Sequence, residues 1–328
     1  MKLLYLCKNK VAMRSITGIG ETVLDIVFKE DQPQAAVPGG STFNAMISLG
    51  RTARVRFPEV PIRMVSEVGD DHVADIITAF MARNGVDSSA VTRRAGSKSH
   101  ISLAFLDAQN NASYSFYKDH AHARLDPGNL SGIGFRRDDL VLFGSYFAVN
   151  PMIRPFTAAL LREAHDSGAI LYYDINFRKP HLAQLPEILP LIEENCRLSD
   201  FVRGSSEDFG ILYGTSDPET VYRDHIAPLC PEFICTCGAN PVHVFSHGRH
   251  MVFEVEKTRT VSTIGAGDNF NAGFVYGLLA QQVLNDACSS LSEAQWAGLV
   301  RTAVHFSAEA CRSLFNYVPE GFDADIRC

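Results

Sequence analysis

A chain of 328 residues, 46% hydrophobic and 20% charged, has the make-up of an ordinary soluble globular protein. Its net charge of −7 argues against a general nucleic-acid surface, and no apolar run reaches the length of a membrane span. The stretch Met1–Lys10 holds an apolar core too short for a secretory signal, so a cytoplasmic location is expected.

In chain order, residues 1–12 read as an extension, because Met13 immediately precedes the first convincing strand, Ser15–Gly20. No repeat, low-complexity tract or linker divides the remainder, so residues 13–328 are taken as one domain. Thr22–Val37 and His100–Tyr117 are period-two runs, each broken by a polar turn. They predict a small antiparallel sheet standing apart from the main one, with an edge extension of the main sheet as the alternative. Strands are expected at Leu140–Phe143, Ile170–Asp174, Phe201–Arg203, Phe233–Cys237 and Val242–Ser246. Helices are expected at Asp71–Asn84, Pro155–Ser167, Pro186–Asn195, Gly267–Gln281 and Ser292–Ser313. This alternation predicts an α/β fold, a mostly parallel sheet with helices on both faces. Eight cysteines show no Cys-x-x-Cys pair, and the grouping Cys230, Cys235, Cys237, His243, His247 and His250 fits no standard zinc spacing.

Two glycine segments carry the chemistry. In Val37-Pro38-Gly39-Gly40-Ser41-Thr42-Phe43-Asn44, a strand ends, the Gly-Gly pair turns the backbone, and Ser41 or Thr42 can cap the next helix. The Asn44 amide both donates and accepts, which suits sugar hydroxyls. In Ser262-Thr263-Ile264-Gly265-Ala266-Gly267-Asp268, a glycine turn leads into a helix with Asp268 in its first turn. Free backbone N–H groups of Ile264 to Gly267 would form an anion site there, and Asp268 would serve as base for an attacking hydroxyl. The glycines are expected to let a phosphate come close; a plain helix-start turn is the alternative reading.

Other polar residues fall inside strands or just beyond them. Asp25 lies in the apolar run Val23–Phe28, where a carboxylate needs either a pairing Arg or a ligand. Asp174, Asn176 and Arg178 follow a parallel strand, beyond whose carboxyl end ligands gather; Arg178 would clamp an anion or form a surface ion pair. Ser205-Ser206-Glu207-Asp208 opens a helix and reads equally as a capping box. Thr236-Cys237-Gly238-Ala239 joins two strands and reads equally as a hairpin turn.

Together the two glycine segments closely resemble the paired signatures of the ribokinase-like (PfkB) family of carbohydrate kinases, and the resemblance runs from about Ile16 to the last helices. It implies a three-layer α/β/α sandwich with a small β-sheet lid, from about 22–38 and 100–118, which covers the sugar and in many members joins a homodimer. It implies sugar contacts from Asp25, Gly39, Gly40, Asn44, Asn176 and Arg178, and catalysis by Asp268 with Gly265, Ala266 and Gly267. It also implies a nucleotide site at Ser205, Thr236, Gly238 and Ala239, with Mg2+ organised by Asp208 or Glu207. Ser262 stands where many relatives have an Asp that helps hold a monovalent cation, which leaves that cation in doubt.

The expected activity is ATP-dependent phosphorylation of a small sugar, fructose to fructose 6-phosphate first. Ketodeoxygluconate, ribose and nucleosides are the competing substrates, to be separated by lid residues such as Ser102, Phe116, Tyr117 and Lys118. A pocket cation, Arg178 or Lys118, would favour a sugar acid. A catalytically silent sugar- or nucleotide-binding protein is the alternative of another class, motivated by Ser262 and the Ser205–Asp208 run. No P-loop is present, Asp208-Phe209-Gly210 lacks the other protein-kinase motifs, and Gly18-Ile19-Gly20 lacks a third glycine, so those nucleotide folds are set aside.

Overall fold

The computed structural model describes residues 14–107, 112–117, 132–255 and 258–325. The first half holds strands β1 (Ile16–Ile19), β2 (Val23–Lys29), β3 (Gln32–Gly39), β4 (Ile62–Gly69), β5 (Val91–Arg94), β6 (Ile101–Leu106) and β7 (Ala112–Tyr117). The second half holds β8 (Leu140–Gly144), β9 (Ile170–Asp174), β10 (Phe201–Ser205), β11 (Glu232–Cys237), β12 (Asn240–Ser246) and β13 (Arg249–Phe253). The helices are α1 (Ser41–Arg56), α2 (His72–Arg83), α3 (Ser145–Val149), α4 (Arg154–Asp166), α5 (Leu185–Leu198), α6 (Ser206–Tyr213), α7 (Ala266–Ala280) and α8 (Glu293–Ala310), with short turns between them.

The main sheet has nine strands in the order β13-β12-β11-β10-β9-β8-β1-β4-β5. All neighbours from β11 to β5 pair in parallel, and β12 and β13 close the far edge by antiparallel pairing. Side chains alternate between its faces, as strand geometry demands. Leu140, Leu142, Ile170 and Tyr172 join one core beneath α1, α7 and α8. Val141, Phe143, Leu171 and Tyr173 join the other, beneath α4 and α5. The three expected layers are therefore present. Strands β4, β5 and β13 go beyond the expected set. Arg63, Ser66 and Glu67 interrupt the apolar pattern of β4, while β5 and β13 are edge strands with exposed residues.

The second sheet has the order β3-β2-β6-β7 and stands apart from the first. It is mixed rather than antiparallel, because β2 and β6 pair in parallel at its centre. The reason is geometric: β2 follows β1 and β6 follows β5, and these parent strands run parallel, so both end on the carboxyl side of the main sheet. Their continuations therefore rise in one direction. This places Asp25 opposite Val37 on β3 and Ser102 on β6. The hairpin tip between β6 and β7, Lys118 and residues 1–12 lie outside the described residues.

Candidate active site

The carboxyl ends of β1 and β8 to β11 converge under the second sheet, and Asp268 marks the centre. Its Oδ1 accepts the Ser41 hydroxyl at 2.7 Å, and its Oδ2 accepts Nδ2 of Asn44 at 2.8 Å. The two glycine segments thus meet across more than two hundred residues of chain. Ser41 is not the helix cap that its position suggested; Gly40 takes that place at φ 121° without a side-chain cap, which frees the Ser41 hydroxyl for Asp268. Gly39 is required because a Cβ there would run into the Asp25 carboxylate. Burial raises the Asp268 carboxyl above its ordinary range; Asn44 and Ser41 oppose this, Asp174 adds to it, and the Arg178 charge opposes it.

The loop before α7 is more internally bonded than expected. The Ile264 N–H reaches the Ser262 hydroxyl at 3.2 Å, and the Ala266 N–H reaches the Thr263 carbonyl at 3.2 Å. Intrahelical bonding begins only with Asn269 N–H to the Gly265 carbonyl at 2.9 Å. Among the described residues, the amides of Gly265, Gly267 and Asp268 therefore remain for a ligand at the positive end of the helix. The expected hole from Ile264 to Gly267 narrows accordingly. The two glycines also have a different reason from the one expected. Gly265 has φ 76°, and a Cβ there would meet the Asn316 carbonyl at 2.7 Å; a Cβ on Gly267 would meet the Arg203 guanidinium at 3.0 Å. In both cases the space a Cβ would take is already filled by protein.

Asp25 faces Asp268 from the lid. It is 9% exposed, takes Nδ2 of Asn316 at 3.3 Å, and borders a small cavity. Val27 and Ala104 of the lid, Ser262 and Ile264 of the loop, and Leu314 and Asn316 after α8 complete the lining. Burial pushes the Asp25 carboxyl up to about 6, Ser102 pulls it back, and the charges of Asp268 and Glu21 push it further.

The residues after β9 divide. Arg178 is exposed at the mouth of the site, near enough for its charge to act on Asp268. Asn176 is buried and donates to the Ser145 hydroxyl at 2.7 Å, with φ 38°. Asp174 is tied within the protein: both its oxygens take Nη1 of Arg203, at 3.0 and 3.1 Å, and Oδ2 also takes Nδ2 of Asn271 at 2.6 Å. Arg203, buried at the centre of this network, lies outside the motifs. The only signal was a lone cation inside the apolar start of β10. Asn316 lies in no motif and gave none.

Ser205 and Asp208 form a reciprocal capping box on α6: the Asp208 carboxylate takes the Ser205 N–H and hydroxyl, each at 2.7 Å, and the Ser205 hydroxyl accepts the Asp208 N–H at 3.1 Å. The cap, rather than a free metal carboxylate, is what the geometry shows for Asp208. Glu207 is exposed one residue earlier. No group of three or more His, Cys, Asp or Glu side chains is gathered for a metal among the described residues. Magnesium arriving with nucleotide phosphates needs only one or two carboxylates and waters, and Glu207 is the one left uncommitted. Thr236 accepts Nη2 of Arg203 at 2.6 Å, which brings the end of β11 beside the start of α7. Gly238, at φ 63°, and Ala239 make the turn of the β11–β12 hairpin.

Comparison with known proteins agrees with this arrangement. The family model for pfkB family carbohydrate kinases matches residues 13–310. A fructokinase of Rhizobium leguminosarum bv. trifolii is 27% identical, over 81% of this chain and 80% of its own. A 5-dehydro-2-deoxygluconokinase of Geobacillus thermodenitrificans is 25% identical, over 74% and 72%. The crystal structure of a fructokinase from Vibrio cholerae O395, in fructose, ADP and calcium ion bound form, superimposes with a TM-score of 0.80 at 21% identity, covering 93% of this chain and 94% of that one. The meeting of both glycine segments at Asp268 and the extent of the match lead to one conclusion: the chain belongs to the pfkB family and is a carbohydrate kinase.

Proposed function

We propose that this kinase transfers the γ-phosphoryl group of ATP to a hydroxyl of a small ketose, with the 6-hydroxyl of fructose as first substrate. The observation that carries the reading is the Asp268 carboxylate, held by Ser41 and Asn44 beside the free amides of the α7 start. Asp268 removes the hydroxyl proton; the sugar oxygen bonds to the γ-phosphorus; the bond from phosphorus to the ADP oxygen breaks. The amides of Gly265 and Gly267 face the charge carried by the moving group, which fixed dipoles stabilise without rearranging. Magnesium would neutralise nucleotide phosphates, with Glu207 as the available carboxylate.

Asp25 accepts from two adjacent sugar hydroxyls, which explains a buried carboxylate without a cation among the described residues. Asn44 Oδ1, buried and without a partner among the described residues, supplies a further acceptor. Thr236, Gly238 and Ala239 border the nucleotide. A homodimer joined through the lid belongs to the same reading, supported by Phe116 and Tyr117, 54% and 62% exposed on β7.

A sugar acid is the second reading, favoured by the Arg178 charge at the mouth of the site. The test is ADP release, coupled to a spectroscopic readout, across fructose, ribose, 2-keto-3-deoxygluconate, 5-dehydro-2-deoxygluconate and nucleosides. Fructose is expected to give the highest kcat/KM, and Arg178→Gln to change it less than tenfold. Preference for an acid, lost in Arg178→Gln, would replace fructose with a sugar acid.

A further inference from the structure

A guanidinium lies directly beneath the first turn of α7, where free amides already concentrate positive charge. Arg203 is 5% exposed on β10, and its fork rests against the backbone of Gly267, since a Cβ there would meet Nη2 at 3.0 Å and Nη1 at 3.1 Å. A cation at a helix N-terminus is opposed by the helix dipole. Four side chains from three elements nevertheless hold it there. Asp174 on β9 takes Nη1, Asn271 on α7 donates to that same carboxylate, the Tyr172 hydroxyl donates to Asn271 at 3.0 Å, and Thr236 on β11 takes Nη2. For stability alone, an apolar pair would serve as well as a buried ion pair. The unfavourable end of the helix becomes the favourable one once an anion sits on the far side of Gly267.

We propose that Arg203 is a positioning residue for phosphoryl transfer: it fixes the Gly267 amide and sets an immobile positive charge beneath the anion site. It acts through the backbone and does not touch the phosphoryl group. The proposal rests on the kinase reading above. A charge that matters mainly when the phosphoryl group is in flight lowers kcat when lost, and leaves sugar affinity, set by the lid, nearly untouched.

The test compares wild type, Arg203→Lys and the double variant Arg203→Met/Asp174→Asn, by steady-state kinetics and thermal melting. The double variant removes both charges at similar volume, so neither is stranded. Its melting temperature is expected near that of wild type, its kcat lower by roughly a hundredfold, and its sugar KM within about threefold. Arg203→Lys keeps the charge without the fork, and is expected to recover kcat to within about tenfold of wild type. A double variant with wild-type kcat, or a Lys variant no better than the double at equal melting temperature, overturns the proposal. Should the double variant not fold, Thr236→Val loosens the guanidinium while leaving its ion pair; kcat about tenfold lower at unchanged sugar KM supports the proposal, and an unchanged kcat overturns it. A wild-type protein that turns over no sugar at all sinks the kinase reading instead.

Discussion

Asp25 and Asp174 are both buried aspartates in apolar strands, 9% and 2% exposed, on opposite sides of one site. Asp174 has a guanidinium on both oxygens and an amide besides. Among the described residues, Asp25 has a long amide contact from Asn316, the Ser102 hydroxyl across the strand pair, a cavity in front of it and a carboxyl pushed up to about 6. The difference separates scaffold from site. A buried carboxylate with its own counter-charge is a structural tie, whereas one that has no cation among the described residues and borders a void is set up for a partner that arrives later. An aspartate in an apolar run did not by itself distinguish them; the neighbouring strand did.

The largest effect should follow from breaking the structural tie. Asp174→Ala alone strands the Arg203 charge in the core and should cost about 3–5 kcal/mol of stability, read by urea unfolding. A loss below about 1 kcal/mol would mean that the pair is not a tie.

Asp25→Asn should act in the opposite direction. A folded carboxyl raised above its ordinary value means that the native state binds the extra proton. This stability is fully present below the ordinary value and is lost as pH rises through the window from about 4 to about 6. At pH 7.5 the substitution should therefore stabilise the sugar-free protein by about 1–3 kcal/mol, while weakening sugar binding at least roughly tenfold. Stabilisation with binding intact would make Asp25 a plain defect rather than a ligand.

The smallest effect is expected at the nucleotide edge. Ser205→Ala removes a helix cap and should cost about 1 kcal/mol, with ATP KM within about twofold. A tenfold rise in ATP KM would instead assign Ser205 a direct nucleotide contact.

Local patterns carried the fold, because hydrophobic alternation and turn residues are written within a few positions. The parallel strands from Leu140 to Cys237 and the helix after Gly267 could be read in this way. The same is true of Asp268, because its glycines and helix start are adjacent. What escaped lies between distant segments. The parallel pairing of β2 with β6 depends on where β1 and β5 end. The Ser41 hydroxyl turns from cap to carboxylate partner because Gly40 takes the cap position and the fold brings Asp268 against Ser41. The glycines at 265 and 267 looked like room for phosphate, yet they clear Asn316 and Arg203, whose positions no local spacing encodes.

The central claim is that Asp268 takes the sugar proton, and single-turnover phosphoryl transfer by Asp268→Asn tests it most directly. Burial already works against the charged form, so the amide should fold at least as well as wild type and still bind sugar. The account predicts a transfer rate lower by about a thousandfold or more. A rate within about tenfold of wild type, in a folded and sugar-saturated variant, would contradict it.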